Sequence, residues 1–323
     1  MVIIPTAKNV MATMLVLLIA LPFSQAMANK CLFISSYHKG YAWSDGVENG
    51  LRETLDGKCD VKQFDMDTKR HKDEESKKEA ALKAKELIES WKPDVVITAD
   101  DNAAKYVIKP FFKDHKVPFV FCGVNWNVDE YGFPYSNATG IVEVAPIDVL
   151  FDNARHIQGG AHQAIYIGAN TLTEKKNLNR FKRAAEKHGI LMDHRLVNTT
   201  KEWLDAYKEA QGYDFVVIGS NSGINDWYTE SVSDYVVKNT TTLTLTNHGW
   251  MMPYTLLGLT KIPEEHGEWA ALAALAILDG IKPSEIPIVS NRKWDIWINH
   301  AILQQSGIRF PESLLRKAKK VNS

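Results

Sequence analysis

The sequence predicts an α/β protein built of two doubly wound parallel-sheet lobes joined by a hinge. The main observation is a repeated pattern in which an apolar strand leads into a polar, aromatic-rich turn and then into an amphipathic helix. The run at 94–99 is apolar throughout, as expected of a strand buried on both faces. The pattern lapses between 125 and 139 and again from 248, which places chain crossings there. Alternation of this kind forms parallel sheets covered by helices on both faces.

The first half of the chain contains four predicted strands. Ser44 is the expected N-cap of the first helix, and Pro93 ends the long second helix because proline cannot continue it. The predicted strands are 31–35, 61–64, 94–99 and 117–124, and the predicted helices are 44–55, 72–91 and 101–115.

The second half repeats the same alternation. The predicted strands are 164–168, 191–197, 214–219 and 242–246, and the predicted helices are 147–156, 173–188, 201–211 and 226–238. An Ala- and Leu-rich helix at 269–278 is expected to pack back on the first lobe, and a strand–helix piece at 294–306 follows it. These predictions assign 29–138 plus 248–288 to an N-terminal lobe and 139–247 plus 289–323 to a C-terminal lobe.

The first 28 residues are typical of a secretory signal peptide. Lys8 is the only charged side chain among them, and the apolar run at 14–21 is too short to span a bilayer. Ala26-Met27-Ala28 fits the small-x-small cleavage rule, so we expect cleavage before Asn29. The sequence therefore predicts export to the periplasm, and a membrane anchor is the alternative.

The chain contains three cysteines. Cys122 lies within a predicted strand and is expected to act as a small buried hydrophobic residue. Cys31 and Cys59 each open a predicted strand, and parallel neighbours would bring them within disulfide range. An oxidising compartment would permit a Cys31–Cys59 disulfide, and two free thiols are the alternative.

Composition and motifs disfavour several classes of protein. The net charge of −1 gives no basic surface for nucleic acid. Gly219-Ser-Asn-Ser-Gly223 resembles a hydrolase nucleophile elbow but carries Asn221 at the nucleophile position. Phosphate-binding loops, paired metal-ligating histidines and C-x-x-C spacings are missing from the sequence. We therefore expect a binding protein that uses no cofactor and no metal, and not an enzyme.

The turn after the first strand is the strongest candidate for a ligand site, because ligands bind beyond the carboxyl ends of parallel strands. Hydroxyl and backbone N–H groups there suit a carboxylate or another anion, and the aromatic rings suit stacking on a flat ligand group. Alternatively, the serines satisfy only local backbone, and Tyr41 and Trp43 pack in the core. The candidate residues are Ser35, Ser36, Tyr37, His38, Tyr41 and Trp43.

Three aspartates and an Asn-Trp pair follow the next strands. Asp67, Asp100 and Asp101 are candidates for holding a ligand ammonium, since buried carboxylates need partners. Helix capping and simple solvation are the alternatives for each of them. Asn125 and Trp126 lie where the first lobe hands over to the second, and we expect them to contact ligand as well.

Polar residues at the strand ends of the second lobe are expected to face the first lobe across a cleft. Neutral groups of this kind recognise amides, hydroxyls or carboxylates, although Asn and Ser are also common turn residues. The candidates are Asn170, Thr171, Ser220, Asn221, Asn225, His248 and Trp250.

Several segments together resemble the ABC transporter substrate-binding family. They are Tyr37-His38-x-Gly40-Tyr41-x-Trp43, the segments 94–102 and 117–124, Ala138-Thr-Gly-Ile141 and the segment 308–315. The resemblance implies a type I periplasmic-binding fold, with two lobes, three crossovers and hinge closure around a ligand. Some similar proteins bind aromatic amino acids, and others are sensory domains of histidine kinases or diguanylate cyclases.

These observations favour a periplasmic solute-binding protein of an ABC importer. It would act as a monomer, capture an amino acid or a related amine or carboxylate, and deliver this ligand to a membrane permease. The alternative is a periplasmic sensory protein that regulates a membrane kinase or cyclase. An exported α/β hydrolase is a more remote alternative, because the sequence offers no clear nucleophile–base pair.

Overall fold

A computed structural model describes residues 29–321 and shows two sheets, one in each lobe. The strands are β1 (Lys30–Ser35), β2 (Asp60–Asp65), β3 (Val95–Ala99), β4 (Phe119–Asn125), β5 (Ala138–Glu143), β6 (Gln163–Ala169), β7 (Leu191–Val197), β8 (Phe215–Ile218), β9 (Leu243–Thr246), β10 (Leu257–Lys261), β11 (Val289–Ser290), β12 (Trp294–Ile298) and β13 (Lys319–Lys320).

Helices cover both sheets. They are α1 (Ala42–Leu55), α2 (Glu74–Trp91), α3 (Asp100–Ala103), α4 (Ile147–Gln158), α5 (Leu172–Lys187), α6 (Thr200–Ala210), α7 (Thr229–Asn239), α8 (Pro263–Leu278), α9 (His300–Ser306) and α10 (Glu312–Lys317). A π-helix (Ala104–Phe112) continues α3, and short 3₁₀ segments occupy Asp129–Tyr131, Gly249–Tyr254 and Pro283–Glu285.

The two lobes share one strand order, which confirms the predicted fold class. The first sheet runs β11-β5-β4-β3-β1-β2 with every pair parallel. The second runs β13-β12-β10-β9-β8-β6-β7. Five consecutive strands in each sheet therefore follow the same path. The second sheet departs from the parallel pattern only at β12, which pairs antiparallel to β10.

The structure moves the predicted lobe boundaries at 138/139 and 247/248. Strand β5 pairs with β4 in the first sheet, so the chain leaves the first lobe only after Glu143. Strand β10 pairs with β9 in the second sheet, so the return comes after Lys261. The third crossing follows β11 at Ser290, because β11 pairs with β5. The sequence placed the first two crossings too early because loops within a lobe also interrupt the strand–helix pattern.

Hydrogen bonds tie the three crossings together. The Val144 backbone N–H donates to Asn291 Oδ1 at 2.7 Å, which links the first crossing to the third. The buried Glu265 carboxylate accepts the backbone N–H groups of Arg292 and Lys293 at 2.8 and 2.9 Å. Lys261 forms an ion pair with Glu143. The crossings therefore behave as one hinge.

Glycines bring α1 and α8 into close contact, as the prediction for 269–278 requires. A Cβ on Gly50 would overlap the Glu264 carbonyl oxygen, and a Cβ on Gly267 would overlap that of Val47. Only glycine permits such an approach of two helix backbones. The first turn of α8 is thereby held beside the start of α1.

The cysteines lie as follows. Cys31 and Cys59 form a disulfide with a Cα–Cα distance of 6.0 Å, at the edge where β1 pairs with β2. Cys122 is buried in β4 and is a free thiol.

Candidate functional site

The loops that follow β1, β2 and β3 are bound to one another at the carboxyl edge of the first sheet. The backbone N–H groups of Met66 and Thr68 donate to the carbonyls of Ser35 and Ser36 at 2.9 and 3.0 Å. Ser36 N–H in turn donates to the Ala99 carbonyl at 3.1 Å. This interlocked backbone fixes the side chains that project beyond the strands.

Both serines in this turn serve local backbone. Ser36 Oγ donates to the Ala99 carbonyl at 2.5 Å and accepts from the Ala103 N–H at 2.8 Å. Ser35 Oγ accepts from the Tyr37 N–H at 3.3 Å, and both residues are buried. Their hydroxyls are therefore placed as the alternative interpretation expected, and not toward an anion.

Asp100 is the most unusual group at this edge. It is buried and adopts a φ of 69°, a conformation that costs a non-glycine residue energy. Its Oδ1 accepts from Trp43 Nε1 at 2.9 Å, while its Oδ2 is buried without a hydrogen-bond partner among residues 29–321. Burial, with a smaller contribution from neighbouring Asp101, raises its pKa to about 8. A buried carboxyl oxygen without a donor suits an incoming cation.

Asp101 and Asn125 bind each other. Asp101 Oδ2 accepts from Asn125 Nδ2 at 2.6 Å, and Asp101 Oδ1 accepts from the Tyr131 hydroxyl at 2.8 Å. Tyr131 was not predicted, because it comes from a 3₁₀ segment within an irregular loop. These contacts place a second carboxylate beside Asp100.

Asp67 is paired within the protein. Arg70 binds both of its carboxylate oxygens, and the His38 ring lies 3.3 Å away. The hydrogen bonds from Arg70 lower the pKa of Asp67. Asp67 thus positions the loop and is less available to a ligand than the sequence suggested.

Tyr37 and Tyr41 form an aromatic wall next to Asp100. Their ring centroids lie 5.3 Å apart with the planes at 80°. Lys69, which the sequence analysis did not single out, places its Nζ 4.5 Å from the Tyr37 centroid and 4.9 Å from the Tyr41 centroid. The wall therefore faces a cation that belongs to the protein.

Trp43 connects this site to the hinge. Its ring lies 5.2 Å from that of His266, and Lys261 Nζ lies 5.7 Å from its centroid. Burial lowers the pKa of Lys261 to about 8 and, together with Lys261, lowers that of His266 to about 3. Both ring nitrogens of His266 are buried without a hydrogen-bond partner in the described chain. The sequence gave no signal for Lys261 or His266, since both lie far from the turn along the chain.

Trp126 contacts the second lobe. Its backbone has a φ of 68°, and the Arg180 guanidinium lies 4.2 Å from its ring centroid. Arg180 donates to Asn177 Oδ1 at 3.1 Å, and Asn177 donates to Glu174 Oε1 at 3.0 Å. Trp126 is thus placed between the lobes in the expected region.

Glu174 organises the strand ends of the second lobe. This buried carboxylate accepts from the Tyr166 hydroxyl at 2.5 Å and from the Ser220 backbone N–H at 3.0 Å. Ser220 Oγ accepts from the Ser222 N–H at 3.0 Å. Sequence reasoning missed Glu174 because it lies on a helix and resembles an exposed charge there.

The remaining second-lobe candidates divide into paired and open side chains. Thr171 caps α5 by accepting from the Glu174 N–H at 3.3 Å, and Asn170 donates to Asn198 at 3.1 Å. Within residues 29–321, the side chains of Asn221 and Asn225 have no hydrogen-bond partner. These two amides are thus open to solvent or to a ligand.

His248 and Trp250 stack at the end of β9. Their ring centroids lie 4.5 Å apart, and Trp250 is 57% exposed. Burial lowers the pKa of His248 to about 4, so the ring is neutral at physiological pH. An exposed tryptophan beside a neutral imidazole is suited to stacking on a flat group.

The described residues contain no group of three or more His, Cys, Asp or Glu side chains arranged to hold a metal ion. Nor does any helix within 29–321 have both the length and the apolar character needed to cross a membrane. The candidate site instead consists of carboxylates, aromatic rings and amides at facing strand ends.

Two lobes of like topology, three crossovers and polar strand ends define the class of two-lobed solute-binding proteins. The family model described as "ABC transporter substrate binding protein" matches residues 33–322. The chain belongs to this family, as its sequence motifs suggested.

Solved structures share the fold at low sequence identity. The ligand-free, open structure of CD0873 from Clostridium difficile, a substrate-binding protein with adhesive properties, aligns with a TM-score of 0.74 and 16% identity, covering 92% of this chain and 100% of that one. A Streptococcus pneumoniae ABC domain in complex with L-Trp aligns with a TM-score of 0.55 and 16% identity, covering 91% and 100%. The leucine-binding protein LivK from Thermotoga maritima aligns at 0.52 and 13%, covering 78% and 83%. A search of curated protein sequences found no match.

Proposed function

We propose that this protein binds a small aromatic or apolar ligand carrying an ammonium group, between its lobes, and delivers it to a membrane ABC permease from the periplasm. The observation that carries the proposal is Asp100, whose Oδ2 is buried without a donor beside a wall of aromatic rings. A ligand ammonium would supply the missing hydrogen bond and charge.

The aromatic groups support an ammonium ligand in a second way. Tyr37 and Tyr41 already attract the Lys69 cation, which shows that their faces are accessible to one. The first-lobe site does not offer its serine hydroxyls to an anion, so a ligand carboxylate would bind to groups of the second lobe. Asn221 and Asn225 have open amides suited to that role. An amino acid thus fits the proposed cleft with its ammonium toward Asp100.

Binding would select a closed arrangement of the lobes. A ligand that contacts both lobes stabilises the closed state by its differential affinity. The three linked crossings supply a hinge about which such closure can occur. The permease would then recognise the closed, loaded form.

Native mass spectrometry of the protein purified from periplasm, before and after denaturation, tests this function. We expect a released amine or amino acid. Titration calorimetry with L-tryptophan and tryptamine then tests the role of Asp100. Asp100→Asn keeps the shape and removes the charge, and should weaken binding by about tenfold to a hundredfold.

Asp234→Asn is the matched control, because Asp234 is an exposed helical aspartate of the second lobe. It should bind both probes as the wild type does. An equal affinity of Asp100→Asn and wild type would contradict the proposed ammonium site. A released compound without a basic nitrogen would contradict the ligand class.

A further inference from the structure

Lys69 lies in the proposed ligand site although nothing in the site's own packing requires a lysine. Its ammonium contacts the faces of Tyr37 and Tyr41, at 4.5 and 4.9 Å from the ring centroids. No carboxylate within residues 29–321 forms an ion pair with it. The two tyrosine faces are therefore its contacts, and Asp67, two residues away, pairs with Arg70 instead.

The backbone that carries Lys69 is fixed while its side chain is free to move. Thr68 is buried, and its hydroxyl donates to the Ser36 carbonyl at 2.6 Å. Asn102 Nδ2 donates to Thr68 Oγ1 at 2.7 Å. Lys69 itself is exposed, with a long flexible stem. Only the side chain would therefore need to swing for its ammonium to leave the rings.

The position of the ammonium is electrostatically the position that a ligand cation would take. Lys69 lowers the pKa of Asp100, which shows that its charge acts on that carboxyl. It does not hydrogen-bond the buried Oδ2, which stays without a donor. A compact ammonium on a ligand could both contact the rings and approach Asp100 more closely.

We propose that Lys69 is a resident cation that the ligand displaces: its ammonium covers Tyr37 and Tyr41 in the ligand-free protein, and a ligand ammonium takes its place. This inference rests on the proposed function and adds a residue that sets the affinity for cations. Ligand binding must break the Lys69–tyrosine contacts, so Lys69 weakens the binding of ammonium ligands. It also stops other small cations from occupying the rings.

The displacement can be followed by NMR on protein labelled with ¹³C at lysine. Protons next to Nζ that lie over aromatic faces resonate upfield, and the Lys69 signal is assigned by its loss in Lys69→Met. We expect an upfield Lys69 signal in the free protein that returns to the ordinary position in a Tyr37→Leu/Tyr41→Leu variant. Tetramethylammonium or tryptamine should move the wild-type signal in the same direction. An ordinary position in the free protein, or no movement at saturating tetramethylammonium, would overturn the proposal.

Affinity gives a second, independent measure. Lys69→Met keeps the stem and removes the charge, so tryptamine should bind about threefold to tenfold more tightly than to wild type. Lys69→Arg retains a cation and should not show this gain. Lys39→Met removes an exposed charge from the neighbouring loop and controls for the change in net charge. Weaker or unchanged tryptamine binding in Lys69→Met would refute displacement.

The two proposals fail in different ways. If the protein from periplasm carries no ligand, the delivery function is in question, yet the Lys69 signal still reports whether the rings hold a cation. If tryptamine binds and the Lys69 signal stays upfield, the binding function stands and the displacement is wrong.

Discussion

Asp100 holds a carboxyl group where only one of its two oxygens receives a hydrogen bond. Gly123 is required next to it, since a Cβ there would lie 3.1 Å from Asp100 Oδ1 at a φ of 70°. The combination of burial, a strained backbone and a missing donor concentrates unfavourable energy at one residue. Such concentrations are typical of functional sites, where the ligand relieves them.

The raised pKa of Asp100 predicts pH-dependent binding. An ammonium ligand requires the ionised carboxylate, so below pH 8 binding must release a proton from Asp100, whose pKa is about 8. Affinity for tryptamine should therefore rise from pH 6 to pH 8 and then level off. Calorimetry in buffers of different ionisation enthalpy would measure the released proton.

Asp100→Asn controls this measurement, because Lys261 titrates in the same range and remains in the variant. Loss of proton release in Asp100→Asn assigns it to Asp100. The stability of the ligand-free protein should run the other way. Its folded-state pKa exceeds the unfolded value of 3.8, so the native state holds the extra proton, and stability falls as pH rises from about 4 to 8.

Sequence reasoning located the residues of the site better than it located their partners. It selected Asp100, Tyr37, Tyr41 and Trp43 because they directly follow strands, and the structure brings these four together. It could not see that the serine hydroxyls would be used by backbone, since that depends on the distance between neighbouring loops. Lys69 was missed for the same reason: its contacts lie across two loops.

Among the elements, α1 and α8 form the tightest helix pair. The glycines at 46, 50 and 267 replace side chains at the contact, so the helices approach backbone to backbone. The sequence alone predicted that the apolar 269–278 segment returns to the first lobe, because such a helix must be buried. It placed the start of α1 at Ser44, whereas the helix begins at Ala42 and has no side-chain cap.

Gly50→Ala should destabilise the protein by about 1–3 kcal/mol, because the new Cβ meets the Glu264 carbonyl of the facing helix. Alanine would otherwise favour the helix by about 0.5–1 kcal/mol, so destabilisation isolates the clash. Urea unfolding measures the difference. Gly212→Ala is the control, since a Cβ there meets its nearest atom at an ordinary 3.6 Å. A Gly50→Ala protein as stable as wild type would mean that the helices can separate.

The π-helix at Ala104–Phe112 shows what periodicity cannot predict. The sequence indicated an ordinary helix from 101 to 115, and the observed segment has the wider turn and ends earlier. Pro110 lies inside it and lacks a backbone N–H, so regular hydrogen bonding cannot continue through that position. Local apolar spacing does not distinguish these two helix types over so short a stretch.

In the whole molecule, the Glu143–Lys261 ion pair joins the ends of β5 and β10, where the chain first leaves each lobe. Both side chains are largely buried, so the loss of one leaves the other charge poorly solvated. We expect a double-mutant cycle of Glu143→Gln and Lys261→Met to give a coupling of about 1–3 kcal/mol in urea unfolding.

The exposed pair of Lys201 and Asp205 provides a matched control within one helix. Its coupling should be about 0.3–0.5 kcal/mol, as is usual for exposed helical pairs. Couplings of equal size at the two pairs would show that the hinge pair contributes no more than a surface contact.

The predicted two-lobed architecture was correct, and its boundaries were wrong by several residues in each case. The strand–helix rhythm records how many strands form, but sheet pairing decides where each strand belongs. β5 follows a long irregular loop, yet its hydrogen bonds are with β4. Such pairings join distant parts of the chain, and a single sequence does not report them.

The three crossings also determine how the chain can be divided and when it can mature. The first lobe includes α8 and β11, so it lacks a central helix until residue 290 has been synthesised. Neither lobe is a continuous stretch of sequence, and a protease that cuts one crossing leaves the lobes joined by the other two. The nicked protein would remain a single particle, and its two fragments would separate only on denaturation. Nature therefore cannot exchange one lobe of this protein by a single recombination event, and each half of the cleft must evolve within the same uninterrupted gene.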